Sequence, residues 1–329
     1  MQAVIAPRKL VQSAIAAGET LPLCPLALSM ESCVSEENMN KNFFATLDRG
    51  YTPINDLLWK TRGAVSLVGA GPSIAKTYKE LVGDVCAINS ALAFLLDHGV
   101  VPRYAMIWDA DPVCENFAVP HPEVTYLIGS RCHPSVFERL KDCRVIVWHA
   151  AGDHNIAEIM NRPEVIAKQT VHEPLINGGS AGITRGIYLV NALGYNEIHL
   201  FGADSCYSGD ATHVNGSLVP EKDIMVSIGN DPPLWFRTTP EWCAQIEEYR
   251  AVYTVFTAYG GNTLHPHGEG MLPTMHELLE EKRRKLGREG FILNMMKQNE
   301  DAARLSGLAE AVAQDERKRK NLQPLEAGA

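Results

Sequence analysis

The chain reads as a Rossmann-like α/β protein: a mostly parallel sheet with helices on both faces, plus helical N- and C-terminal extensions. Three observations carry this expectation. Short apolar runs, β-branched or aromatic, recur between residues 61 and 270, as in strands buried on both faces. Helix-length stretches alternate with them, the pattern of parallel strands joined by right-handed crossovers. A glycine turn, Gly69-Ala70-Gly71-Pro72-Ser73, follows one apolar run directly and opens a helix.

The runs predict strands over 65–68, 85–88, 104–108, 124–128, 145–148 and 198–201, and helices over 73–81, 90–99, 181–193 and 240–259. Residues 1–60 read as a helical or irregular lead-in without a clear strand, 61–270 as the nucleotide-binding domain, and 271–329 as a helical extension. In that extension Thr274 and Glu277 have the spacing of a capping box, and Gly287 is expected to stop the helix they start. A second helix, over 299–320, ends in Arg317-Lys318-Arg319-Lys320, read as a solvated helix end.

Bulk properties bound the function. The 329 residues are 46% hydrophobic and 21% charged, ordinary for a chain with a sizeable core. A net charge of -9 argues against a general nucleic-acid surface, which needs excess Lys and Arg. No apolar run reaches the roughly 18 residues of a membrane span. The apolar stretch after Arg8 and Lys9 is too broken for a signal peptide. The eight cysteines form no C-x-x-C pair and read as reduced core thiols, so a cytoplasmic location is expected.

Candidate site residues fall at the ends of the strands. At the first turn, Gly69 and Gly71 let backbone approach a phosphate, Pro72 suits a first helical position, and Ser73 adds a hydroxyl near free N–H groups. The alternative is a tight strand–helix turn with no ligand. Asn89 follows the second strand and either reads a base or ribose or caps the helix from Ser90. Asp109 and Asp111, two residues apart after the third strand, either hold Mg²⁺ against donor phosphates or cap turns. Gly179 and Ser180, in Asn177-Gly178-Gly179-Ser180-Ala181-Gly182, make a second glycine-rich helix start that either holds an anion or allows close helix–sheet packing, or does both. Asp204, beyond the run 198–201, could orient a substrate hydroxyl or a metal-bound water, and His213 in the polar loop beyond could act as a base. His265-Pro266-His267 has the look of a metal pair, but no third ligand stands at zinc spacing, so a loop is expected there.

Together these pieces resemble the MptE-like family, named after a 6-hydroxymethylpterin diphosphokinase and including motility-accessory-factor proteins implicated in sugar transfer to flagellin. The resemblance rests on Gly-Ala-Gly-Pro-Ser at 69–73, Ala87-Ile88-Asn89-Ser90, Trp108-Asp109-Ala110-Asp111-Pro112, and Ala192-Leu193-Gly194-Tyr195 through Gly202-Ala203-Asp204. Asn38-Met39-Asn40-Lys41-Asn42 and Gly50-Tyr51-Thr52-Pro53-Ile54 add to it, and the whole covers roughly 36 to 265. A more distant likeness, to bacterial sialyltransferases that use CMP-sialic acid, implies that Asn89 faces a nucleotide. Those enzymes have asparagine where this chain has Ala70, and a histidine before the late helix where this chain reads Phe236-Arg237-Thr238-Thr239-Pro240.

The expected function is a nucleotide-dependent transferase, favoured as a glycosyltransferase with a nucleotide-sugar donor and Mg²⁺. One alternative is ATP-dependent diphosphate transfer to a small alcohol such as a hydroxymethylpterin. The other is a non-catalytic binding or assembly protein on the same fold, with homo-oligomerisation through the C-terminal helices.

Overall fold

The computed structural model describes residues 2–4, 24–25, 34–152, 155–169, 171–214, 223–229 and 232–321. Its centre is a parallel sheet of β3 (Thr52–Pro53), β4 (Ala64–Val68), β5 (Asp84–Ile88), β6 (Tyr104–Ile107), β7 (Thr125–Gly129), β8 (Arg144–Ala150), β9 (Leu175–Ile176), β10 (Glu197–Phe201) and β13 (Thr263–Pro266). The strand order is β13-β10-β4-β5-β6-β7-β8-β3, with β9 also on β8. Every one of these pairings is parallel. The chain moves outward from β4 to β8 and then returns to lay β10 on the other side of β4. The order therefore reverses between β4 and β10, which is where open α/β sheets bind ligands.

Helices α1 to α9 span Glu36–Arg49, Ile74–Thr77, Ala91–Asp97, Pro134–Arg139, Ile156–Met160, Pro163–Ile166, Gly182–Leu193, Pro240–Tyr259 and Met271–Asn321. They cover both faces, as strand alternation requires. Leu67 faces α7, where a Cβ on Gly186 would lie 3.0 Å from its methyls. Its neighbour Val68 joins the opposite core with Leu92, Phe94 and Leu95 of α3 and Val136 and Phe137 of α4. Cys86 is wholly buried, and desolvation pushes its thiol up to about 12, as expected of an unreactive core thiol.

Two expectations about extended structure fail, the first being the loop at His265-Pro266-His267, where residues 263–266 form β13. The lead-in carries strands: β3 joins the main sheet, and β1 (Gln2–Val4) and β2 (Cys24–Pro25) belong to a second one. That sheet is antiparallel, ordered β12-β11-β1-β2, with β11 Ile224–Ile228 and β12 Leu234–Thr238. Strand β1 pairs with β11 more than 200 residues away (Ala3 with Val226), a partnership local patterning cannot announce.

The chain divides into two units, Met1–Leu278 and Leu279–Ala329. Helix α9 begins at Met271, earlier than the capping-box reading placed it. Thr274 lies inside it, and its hydroxyl donates to the Gly270 carbonyl (2.8 Å). Gly287 does interrupt the helix, with φ 69°. No helix among the described residues is long and apolar enough to cross a membrane.

Candidate active site

A cleft of about 170 Å³ opens at the β4/β10 reversal. Gly69, Ala70 and Gly71 form one wall, Gly202 to Cys206 another, with Asn89, Ile183, His213, Phe117, Trp242 and Gln245 around them. The cleft thus gathers the ends of β4, β5 and β10, the start of α7 and the loop that carries His213.

The glycines are required here, for a reason other than the one expected. Gly69 N–H donates to the Phe201 carbonyl (2.8 Å) and Gly71 N–H to the Gly202 carbonyl (2.9 Å). A Cβ on Gly69 would lie 2.6 Å from the Gly202 oxygen; on Gly71 it would lie 2.7 Å from that oxygen and 2.9 Å from Asp204 Cγ. Two strand ends approach so closely that no side chain fits between them. Ser73 N–H donates to Asp204 Oδ2 (2.8 Å), and the Ser73 hydroxyl makes a short hydrogen bond to Asp204 Oδ1. Pro72 has no N–H. The donors expected to wait for a phosphate at Gly69, Gly71 and Ser73 are therefore already engaged.

Asp204 is almost fully buried. Desolvation raises its pKa, and the two Ser73 donors oppose the rise. Its backbone oxygen accepts from Met271 N (2.8 Å) at the start of α9. It joins β10, the glycine turn and α9 at one point, so its first role is to hold the cleft walls together.

The second glycine-rich turn receives an anion, and the anion is the protein's own. Glu248 of α8 accepts from Ser180 N (2.6 Å), the Ser180 hydroxyl (2.6 Å) and the Thr184 hydroxyl (2.6 Å). A Cβ on Gly179 would sit 2.0 Å from Glu248 Oε2. A carboxylate of the chain, rather than a nucleotide phosphate, takes the Ser180 donors at this helix start.

Asp109 and Asp111 cap turns. Asp109 Oδ1 accepts from Asp111 N (3.1 Å), and Asp111 Oδ1 accepts from Val113 N (2.8 Å), starting the 3-10 helix Pro112–Phe117. Oδ2 of each stands outside those caps. Neither residue lines the cleft, although Phe117 at the end of that 3-10 helix does.

Asn89 and His213 do line it. Asn89 does not cap α3, whose N-cap is Ser90. Its backbone sits at φ 49°, and its Oδ1 is buried without a hydrogen-bond partner. Ser205 repeats both features, with φ 54° and a buried Oγ without a partner. Only three non-glycine residues among those described have positive φ, and two face this cleft. Strain and unmet hydrogen-bonding capacity coincide there, as at ligand-binding sites. The His213 ring lies near Trp242, with centroids 6.2 Å apart, and burial lowers its pKa. Val214 N–H donates to the Ala70 carbonyl (2.8 Å), tying the His213 loop to the glycine turn.

Several residues escaped sequence reading. Arg131, just beyond β7, is buried and donates to Asn40 and Asn155 side-chain oxygens (both 2.9 Å). Arg185 of α7 is buried over the Trp108 ring, 4.2 Å from its centroid. Asn42 of α1 donates to the Ala110 and Arg131 carbonyls, pinning the Asp109–Asp111 loop from the lead-in. The one available signal was the position of Ser130-Arg131 directly after a strand.

The family model described as 6-hydroxymethylpterin diphosphokinase MptE-like matches residues 37–210, more than half of the chain. The chain belongs to the MptE-like family. The match contains the glycine turn, Asn89, Asp109, Asp111 and Asp204, and stops just before His213. Among solved structures, this MptE-like chain is similar to a MAf glycosyltransferase from Magnetospirillum magneticum AMB-1, with 14% identity and a TM-score of 0.49 over 78% of this chain. It spans only 43% of that protein's length. It is also similar to a mammalian sialyltransferase (14% identity, TM-score 0.37, 74% of this chain and 90% of that one). Another similar structure is a mammalian sialyltransferase in complex with Gal-beta-1-3GalNAc-ortho-nitrophenol (12%, 0.31, 82% and 98%). No curated protein matches the sequence.

Proposed function

We propose that this MptE-like chain is a nucleotide-dependent transferase, and that the β4/β10 cleft takes the nucleoside end of a nucleotide-sugar donor. The observation that carries the reading is the buried, unpartnered Asn89 Oδ1 at a strained backbone position on the cleft wall. Leaving such an acceptor unmet costs about 1–3 kcal/mol, which a donor group of a base or ribose removes. At about 170 Å³ the cleft is below the roughly 300–1,000 Å³ that engulfs a whole small ligand, so it suits one end of a donor.

The lining favours sugar transfer over diphosphate transfer from ATP. Among the described residues it contains no Lys or Arg and one carboxylate, Asp204, a poor setting for a triphosphate. Phe117 and Trp242 offer apolar faces. His213, held neutral by burial, is suited to take the proton of an attacking acceptor hydroxyl. The family description favours the second reading, diphosphate transfer to a small alcohol. In either case Asp109 and Asp111 have carboxylate oxygens left over from capping, enough for Mg²⁺, which takes one or two carboxylates plus substrate phosphates. When bound, the ion would offset charge on the donor phosphates.

The test is calorimetry with CMP, UDP, UDP-sugars and ATP, with and without Mg²⁺, on the intact chain and on Asn89→Ala. Saturable binding of a sugar nucleotide, weakened about tenfold in Asn89→Ala, supports sugar transfer. Binding of ATP alone, dependent on Mg²⁺ and lost in Asp109→Ala, moves the assignment to diphosphate transfer. No binding by any of these compounds removes both enzymatic readings.

A further inference from the structure

The pair His265-Pro266-His267 lacks a third metal ligand only in the sequence. In the fold, residues 263–266 form the edge strand β13, parallel to β10, in a register that sets His265 beside His199. Glu197 stands two residues before His199 on the same face of β10. Ligand atoms of Glu197, His199 and His265 all lie within 4.8 Å of one another. His199 Nε2 is 3.1 Å from Glu197 Oε1, and the His199 and His265 rings stack with centroids 4.8 Å apart.

The fourth residue of the cluster, His267, orients the central one. His199 Nδ1 and His267 Nε2 are 2.9 Å apart, so one of them carries the shared proton. His267 is itself stacked on Phe201, with centroids 4.2 Å apart and planes 3° from parallel. A ligating imidazole is ordinarily held by a hydrogen bond from its other ring nitrogen, which fixes the tautomer and turns the free lone pair towards the ion. With the proton on His199 Nδ1, His199 Nε2 presents its lone pair to Glu197 and His265.

We propose that Glu197, His199 and His265 bind a zinc-class divalent cation that clips the edge strand β13 to β10, with His267 as the positioning residue for His199. Two imidazoles and a carboxylate are a set that zinc accepts. Tetrahedral bonds of about 2.0–2.1 Å put ligand atoms about 3.3 Å apart, so the cluster must tighten slightly around the ion. The required movement falls on Glu197 and His265, whose side chains are exposed, while His199 is buried and fixed. The site is displaced from the cleft along β10: His199, its ligand nearest the cleft along that strand, lies three residues before Gly202, about 10 Å at roughly 3.3 Å per residue. Its role is to secure a strand that, among the described residues, has a partner on one side only. It does not depend on the proposed transferase activity.

The experiment titrates chelator-stripped full-length protein with Zn²⁺ by calorimetry, and with Co²⁺ followed by visible absorption. One ion per chain is expected, with a rise in melting temperature. His265→Asn and Glu197→Gln, both at exposed positions that should leave the circular dichroism spectrum unchanged, are each expected to weaken binding at least tenfold and remove the thermal shift. His267→Gln is expected to weaken binding about 10- to 100-fold. Nucleotide binding at the cleft should be unchanged in all three. No saturable binding overturns the proposal, as does binding that His265→Asn leaves intact. A cobalt–thiolate charge-transfer band at one equivalent also overturns it, because cysteine would then be the ligand.

Discussion

Two glycine-rich turns, Gly69 to Ser73 and Asn177 to Gly182, looked alike in sequence, yet they do different work. In both, a carboxylate from elsewhere in the chain takes the backbone and hydroxyl donors that a phosphate would use: Asp204 at the first and Glu248 at the second. At the first turn the contact is backbone against backbone, between two strand ends, and the carboxylate is buried. At the second, Gly179 lies against the far end of Glu248 on α8 and the Thr184 hydroxyl. The first turn builds a cleft wall; of the second, only Gly182 reaches the cleft lining, and the capped donors at Ser180 lie outside it. A glycine-rich strand–helix turn therefore reports close approach of some anionic or carbonyl group, which can come from within the chain.

The largest expected effect separates the turns by rigidity. Gly71→Ala forces a methyl against the Gly202 carbonyl and Asp204, neither of which can withdraw, and should cost more than about 3 kcal/mol or abolish folding. Gly179→Ala meets the tip of Glu248 and the Thr184 hydroxyl, side-chain atoms rather than backbone, and should cost about 1–2 kcal/mol. Urea denaturation measures both, and equal losses would erase the distinction. Next come the carboxylates. Asp204→Ala leaves two Ser73 donors buried without partners and should cost about 2–5 kcal/mol. Glu248→Ala removes a half-buried cap, worth about 0.5–2 kcal/mol, and should let sulfate stabilise the variant but not the parent in a thermal-shift assay.

A smaller effect tests the cleft itself. Asn89→Ala should change stability by less than about 1 kcal/mol, because its Oδ1 has no partner to lose, while weakening nucleotide binding about tenfold. The smallest concerns pH. Burial lowers the His213 pKa from 6.5, so the imidazole is neutral at pH 7. The acid limb of kcat/KM should lie below 6.5, and His213→Gln should remove it. The sign for stability is the same: below 6.5 the unfolded chain binds a proton that folded His213 resists, so stability falls as pH drops from 6.5 through the folded value.

The strands at 65–68, 85–88, 104–108, 124–128, 145–148 and 198–201 were legible because each is apolar on both faces, and the helix over 240–259 because Thr239 and Gly260 bracket it as caps. The antiparallel strands β11 and β12 were not, since polar and charged residues such as Ser227 and Arg237 interrupt them and one partner, β1, lies near the start of the chain. Asn89, Asp204 and His213 were legible as site candidates because strand ends and the loops beyond them meet at one sheet edge. The engagement of Ser73 and Ser180 was not, because nothing local ties Ser73 to Asp204 or Ser180 to Glu248, 131 and 68 residues away.

The sequence by itself determined the parallel α/β architecture, the family resemblance and the set of strand-end residues from which a site could be built. Those follow from periodicity and glycine placement, which are local properties. Tertiary structure alone decided which turn faces the cleft, which carboxylate fills each turn, and that His265 finds Glu197 and His199 across a strand pairing. These depend on which distant segments become neighbours, and strand order in a sheet is set by the packing of the whole chain.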